Sequence, residues 1–320
     1  PFIIVDDVRR LGLFTAKKIK QTENGISRSA FLQKVGLITA GVPLAALSAG
    51  VAIGGAYNYK IHRKKLNFKN LPKAFDGLKI VQISDIHSGS FYDKEAVKKG
   101  VQMIIDQQPD VVFFTGDIVN ERAIEMEAYY EVFDKITAPM GVYSILGNHD
   151  YGDYYQWEND KARQENFEAV KNIHHKLGWK LLLDEHIYLE KAQEKIAVLG
   201  VENWGSGFHK IGDLAKAYHH CESGFKILLS HDPTHWEEEV TKTYLDIDLT
   251  LSGHTHGAQM GIETHNFKWS PIQFRYSRWA GLYNKGQQYL YINRGFGFLG
   301  YPGRIGIWPE ISVLELNHVT

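Results

Sequence analysis

"LKIVQISDIHSG", Leu78–Gly89, decides how this chain is read. Its first half is a run of branched apolar residues, and its second half turns polar at once. A short apolar run of this kind fits a strand buried on both faces. The same change recurs in "DVVFFTGD" (Asp110–Asp117), "GVYSILGN" (Gly141–Asn148), "KIAVLGV" (Lys195–Val201), "FKILLSH" (Phe225–His231) and "DIDLTLSGH" (Asp246–His254). Helical patterns lie between several of these runs. In Asp93–Gln108 the residues Ala96, Val97, Val101, Ile104 and Ile105 form one stripe, and Pro109 stops it. Asn159–Gly178 is a second pattern, closed by a glycine. Strands alternating with helices predict an α/β architecture.

Polar residues of one chemical kind gather just past these strands, the edge where α/β sheets build their sites. They are Asp85 and His87, Asp117, Asn148 with His149 and Asp150, His231, then His254 and His256. One histidine in such a loop is ordinarily a packing residue. Leaving aside His149 and Asp150, seven carboxylate, imidazole and amide groups spread over five strand ends point to metal. The set suits Mn, Fe, Zn or Ni, with no thiolate cluster. It is too large for one tetrahedral ion and fits two ions sharing a carboxylate. Two such ions clamp the attacking and leaving oxygens of a phosphoryl displacement, and a bridging water is the expected nucleophile. His149 then sits at the rim, placed to donate a proton.

Bulk properties exclude other classes. The chain has 320 residues, is 44% hydrophobic and carries a formal net charge of -1. That balance leaves no footprint of a nucleic-acid binder, so no nucleic-acid partner is expected. The single cysteine, Cys221, allows no internal disulfide and no paired-cysteine deaminase site.

In order and kind, "SDIHSG", "TGDIVN", "LGNHDYGD", "LLSHDP" and "SGHTHG" resemble the calcineurin-like metallophosphoesterases, from about Leu78 to the C-terminus. The resemblance implies a four-layer αββα sandwich with two metals at the strand ends. Carried over by motif, Asp85, His87 and His256 hold the first metal, Asn148, His231 and His254 the second, and Asp117 bridges them. His149 stands where the family has its catalytic histidine. Many members read GDxxDR in the second motif; here it is "GDIVNER", with Asn120 in place of the second Asp and Arg122 displaced by one. The orienting partner of His149 is therefore unassigned. The expected activity is hydrolysis of a phosphodiester or pyrophosphate; the alternative is a catalytically silent scaffold on the same fold, binding a membrane partner.

A closer resemblance, carried by "SGHTHGAQ" and the tail "YINRGFGFLGYPGRIGIWPEI" (Tyr291–Ile311), is to membrane-linked bacterial members. These include wall-associated phosphodiesterases and relatives of UDP-2,3-diacylglucosamine pyrophosphatase. It implies a lipid-linked substrate and a place at the bacterial inner membrane, with the extracytoplasmic side favoured. In the tail, Arg294 and Arg304 either contact substrate phosphate or belong to a glycine-rich core hairpin. "WSPIQFRYSRWAGLY" (Trp269–Tyr283) adds Arg275 and Arg278, on a membrane-facing lip or a structural segment.

Four regions are expected. Residues 1–34 form a basic helical segment, amphipathic or solvated. Residues 35–57 carry no charge over 23 positions and form a transmembrane or anchoring helix, or else a buried small-residue helix. Residues 58–77 are a basic linker, and residues 78–320 the catalytic domain. Both flanks of the uncharged run are basic, so charge alone does not orient it.

Overall fold

The computed structural model describes Ser48, Gly50 and residues 54–320, apart from 208–209 and 265–266. The expected basic segment and most of the expected span lie outside the described residues. Among those described, no helix is long and apolar enough to cross a membrane.

Among the described residues there are fourteen strands: β1 Lys60–Phe68, β2 Leu78–Ile83, β3 Val111–Phe114, β4 Val142–Ser144, β5 Lys180–Leu181, β6 Glu185–Lys191, β7 Glu194–Gly200, β8 Lys226–Leu229, β9 Leu249–Ser252, β10 Ile262–Glu263, β11 Lys268–Trp269, β12 Gly281–Lys285, β13 Gln288–Ile292 and β14 Glu310–His318. Twelve of them form two mixed six-stranded sheets, ordered β1-β14-β2-β3-β4-β5 and β12-β13-β9-β8-β7-β6, and β10 with β11 makes a separate hairpin. Every apolar run read as a strand is one.

Three apolar layers hold the sheets and helices together. Ile80, Val111 and Phe113 of the first sheet meet Val198, Leu229 and Leu251 of the second, all fully buried. Alternate residues of the first sheet, such as Val81, Val112 and Phe114, face helices α1 (Lys94–Ile105), α2 (Tyr130–Phe133) and α3 (Asp160–Lys176). The outer face of the second sheet packs Leu199, Leu228 and Ile292 against α4 (Leu214–Tyr218) and the turn at Trp236–Val240. This is the helix–sheet–sheet–helix order expected from the motifs. Strands buried on both faces need apolar residues at every position, which is why their sequences run apolar without alternation.

Helix ends follow local chemistry. The Asp93 carboxylate accepts from Ala96 N–H at 3.0 Å to cap α1, and Asn159 does the same for α3 through Ala162 N–H at 2.9 Å.

Two boundaries differ from expectation. Residues 58–77, read as a linker, contain β1, which pairs in parallel with the whole of β14. Its burial is confined to Leu66 and Phe68 at its end, so as an edge strand it shows no apolar run. The end of the uncharged segment also belongs to the sandwich. Gly55–Tyr57 form a 3-10 turn, Ala56 is fully buried, and the Tyr57 ring packs edge-on to Phe298 at 5.9 Å.

Candidate dinuclear metal centre

The loops after β2, β3, β4, β8 and β9 converge on one point. Asp85, His87 and His256 bring ligand atoms within 4.8 Å of one another, and so do Asp117, His231 and His254. The two groups meet at Asp117, whose Oδ2 lies 3.4 Å from His87 Nε2 and 3.1 Å from His231 Nε2. In the first group His256 Nε2 is 3.2 Å from Asp85 Oδ1 and 3.1 Å from His87 Nε2. In the second, Asn148 Oδ1 sits 2.8 Å from His254 Nδ1. All seven sequence-derived residues are therefore together.

The backbone is bent to place them. Asp85, His87, Asp117, His254 and His256 all have φ between 47° and 71°, the left-handed region that non-glycine residues avoid. Each such residue costs roughly 1–2 kcal/mol, a strain that clusters at functional sites. Buried hydrogen bonds hold the bends. The Asp150 carboxylate accepts from Gly147, Asp117 and Ile118 N–H at 2.8–2.9 Å, and Asp85 accepts from His254 N–H at 3.0 Å.

The donor set fits metal ions. His231 is fully buried, and its Nδ1 lies 2.7 Å from the Thr115 carbonyl, so Nδ1 carries the proton. Its Nε2 makes no hydrogen bond and faces Asp117. Burial opposes charge here, yet Asp117 pulls a proton onto His231 strongly enough to push its pKa up to about 10. Asp117 itself is held well below the usual carboxylate range, because His231 and His149 more than offset its burial. A buried centre that draws protons this strongly is built for positive charge.

His149 follows Asn148 at the rim. Its backbone N–H donates to Asp117 Oδ1 at 2.9 Å, and its Nδ1 faces the Asn120 carbonyl at 2.9 Å and Glu121 Oε1 at 3.2 Å. Burial favours the neutral ring; Asp117, Glu121 and the Asn120 carbonyl outweigh it and raise the pKa to about 9. Glu121 thus stands where the sequence left the partner of His149 unassigned, one residue beyond the substituted Asn120. Two further neighbours went unrecognised: the Tyr276 hydroxyl lies 2.7 Å from His254 Nε2, and buried Asp232 places Oδ2 3.6 Å from the same atom. Asp232 was legible in "LLSHDP"; Tyr276 had no signal of its own.

The four arginines read as substrate-binding fare differently. Arg294 is 3% exposed and ion-paired with Glu310 and Glu263. Arg304 is fully buried and donates to the Gly295 and Gly297 carbonyls and toward His256 Nδ1. Neither is available to a substrate phosphate. The tail instead buttresses the centre: Phe296 and Gly297 N–H donate to the Ser84 and Asp85 carbonyls at 2.7 and 2.8 Å. Arg278 pairs with Glu237. Arg275 is more accessible, donating to the Ser206 carbonyl at 2.9 Å beside a cleft of about 460 Å³. Asn148, Tyr151, Asp153, Tyr154, Asn203, Gly207 and Ile211 line that cleft, which adjoins the centre at Asn148.

An α/β sandwich with clustered carboxylate, imidazole and amide ligands at its strand ends defines a metal-dependent hydrolase class. The model of the calcineurin-like phosphoesterase family matches residues 78–258, and the chain belongs to that family. It is 30% identical to the uncharacterized metallophosphoesterase YkuE of Bacillus subtilis, over 85% of this chain and 94% of that one. It is 26% identical to a transmembrane protein with metallophosphoesterase domain from Danio rerio, over 97% and 68%. Phosphodiesterase YaeI of Escherichia coli is 24% identical over 74% and 82%.

Proposed function

We propose that this protein is a dinuclear metal-dependent phosphoesterase that hydrolyses a phosphodiester or pyrophosphate of a lipid-linked substrate at a membrane. The observation that carries the reading is the Asp117 carboxylate set between two histidine-containing clusters, with His231 Nε2 left without a hydrogen bond. Asp85, His87 and His256 would hold one ion; Asn148, His231 and His254 the other; Asp117 both. Bound metal ions supply Lewis acidity and acidify water at such a centre.

The chain's own groups do the rest. Asp150 and Asp85 hold the strand-end loops by accepting their backbone N–H groups. Glu121 and the Asn120 carbonyl fix the His149 ring, so that its Nε2–H gives a proton to the leaving oxygen. The cleft beside Asn148 receives the alcohol side of the substrate. Its two tyrosines and isoleucine favour an organic group over a bare phosphate. The N-terminal uncharged run and the relatives named as transmembrane proteins support the membrane placement.

The test is hydrolysis of bis-p-nitrophenyl phosphate with added Mn²⁺, abolished by chelation and by Asp117→Ala. Undiminished turnover in Asp117→Ala refutes the bridging role. A lipid-extract screen read by mass spectrometry then separates the substrates. Release of UMP marks a pyrophosphate, and release of glycerol phosphate marks a diester.

A further inference from the structure

The β10–β11 hairpin is amphipathic in the wrong sense for a soluble surface. Ile262 pairs with Trp269 and Glu263 with Lys268. The charged pair faces inward: Glu263 binds Arg294, and Lys268 Nζ donates to the Tyr283 hydroxyl at 2.8 Å and lies over that ring. The apolar residues face outward, Ile262 at 55%, Phe267 at 56% and Trp269 at 39% exposure. Phe274, at the end of the following 3-10 turn Pro271–Phe274, is 83% exposed. Ile262 and Trp269 share the outer face of the hairpin, and exposed large apolar side chains grouped in this way mark a docking surface.

Two observations choose its occupant. The hairpin starts beside the segment that holds Gly50 and Gly55. Gly261 N–H donates to the Ile305 carbonyl at 2.9 Å. Gly50 and Gly55 lie so close to Ile305 and Arg304 that a Cβ on either would come within 2.5 Å of them. Gly50 and Gly55 belong to the 23-residue uncharged run. The patch also adjoins the metal centre: Phe274 is followed by Arg275 and then by Tyr276, whose hydroxyl meets His254.

We infer that Ile262, Phe267, Trp269 and Phe274 form a second membrane contact, seating the catalytic unit on the lipid surface with its metal centre beside the headgroups. Tryptophan and phenylalanine suit that boundary, where an apolar body meets wet headgroups. The inference rests on the membrane-linked reading above, and its test separates the two.

The full-length chain, with Cys221→Ser and a single label site at Phe274→Cys, is mixed with phosphatidylcholine/phosphatidylglycerol vesicles. A polarity-sensitive fluorophore reports the environment, and a bromine-bearing lipid quenches it. A second chain labelled at Leu245→Cys, an exposed residue at the other end of β9 from His254, is the control. The expected result is a blue shift and quenching at position 274 and neither at 245. Flotation with vesicles while the label at 274 stays water-exposed overturns the docking surface and leaves membrane association standing. Failure to float overturns both. A blue shift without vesicles that grows with protein concentration makes the patch an interface between two copies and also overturns the lipid contact.

Discussion

The neighbours of the His149 ring come from two adjacent positions. Asn120 supplies a main-chain carbonyl to the histidine ring, and the Glu121 carboxylate reaches the same nitrogen. His149→Ala should lower kcat by roughly 10²- to 10⁴-fold, the usual contribution of a proton donor, with metal content unchanged. Glu121→Gln should cost about 10-fold and shift the pH–rate profile, since it removes only the partner that orients and charges the ring. Steady-state kinetics with elemental analysis checks both; a metal-depleted His149→Ala protein would assign that residue to ligation instead.

At the scale of the element, the turn Gly253–Gly257 joins the two clusters. His254 and His256 both adopt left-handed backbone angles, and the Thr255 hydroxyl between them donates to the Trp279 carbonyl at 2.6 Å. The two flanking glycines act for different reasons. Gly257 has φ +56°, a conformation glycine adopts freely. Gly253 is needed for space: a Cβ there would fall 1.9 Å from Ser84 Oγ and 2.3 Å from Asp85 Oδ2. Gly253→Ala should therefore displace Asp85, reducing bound metal and cutting activity by about 100-fold. Circular dichroism should show the sandwich intact, because β9 ends before the turn. Full metal occupancy in that variant would show that the turn has slack.

Across the whole molecule, two buried ionisable groups set stability without touching the chemistry. Arg294 ties the hairpin and β14 together through Glu263 and Glu310, and Glu310 also accepts from Tyr291 and Ser312. Arg294→Met strands the Glu310 carboxylate, at a cost of about 3–5 kcal/mol. Urea unfolding should show that loss while kcat/KM at low temperature stays within a few-fold; a large rise in KM instead would restore Arg294 to the substrate. His174 on α3 is fully buried against Phe114 and Trp179 with neither ring nitrogen hydrogen-bonded, and burial depresses its pKa to about 3. The unfolded chain takes that proton near pH 6.5 and the folded one does not. Stability from neutral His174 is thus complete above pH 6.5 and falls by about 1.4 kcal/mol per pH unit below it. His174→Leu should flatten the decline of Tm between pH 6.5 and 4.5; an unchanged slope would place the acid sensitivity elsewhere.

The central strands of both sheets and the residues that gather at the candidate metal centre were legible because their physics is local. A strand buried on both faces must be apolar throughout, and a ligand must be carboxylate, imidazole or amide just past its end. Residues such as Asp85 and His231 therefore declare themselves by type and position. Edge strand β1 did not, since one exposed side frees its sequence from that demand. Nor could the sequence alone separate the arginines, because an arginine reads the same whether it faces phosphate or carboxylate. Arg294 and Arg304 are settled by what surrounds them: glutamates for one and carbonyls for the other, drawn from segments far apart in the chain. The outward face of the β10–β11 hairpin likewise emerges only when Glu263 and Lys268 find their partners inside. Residue type and position marked the candidate site of this protein; the long-range contacts decided which charged residues lie beside it and which tie distant segments together.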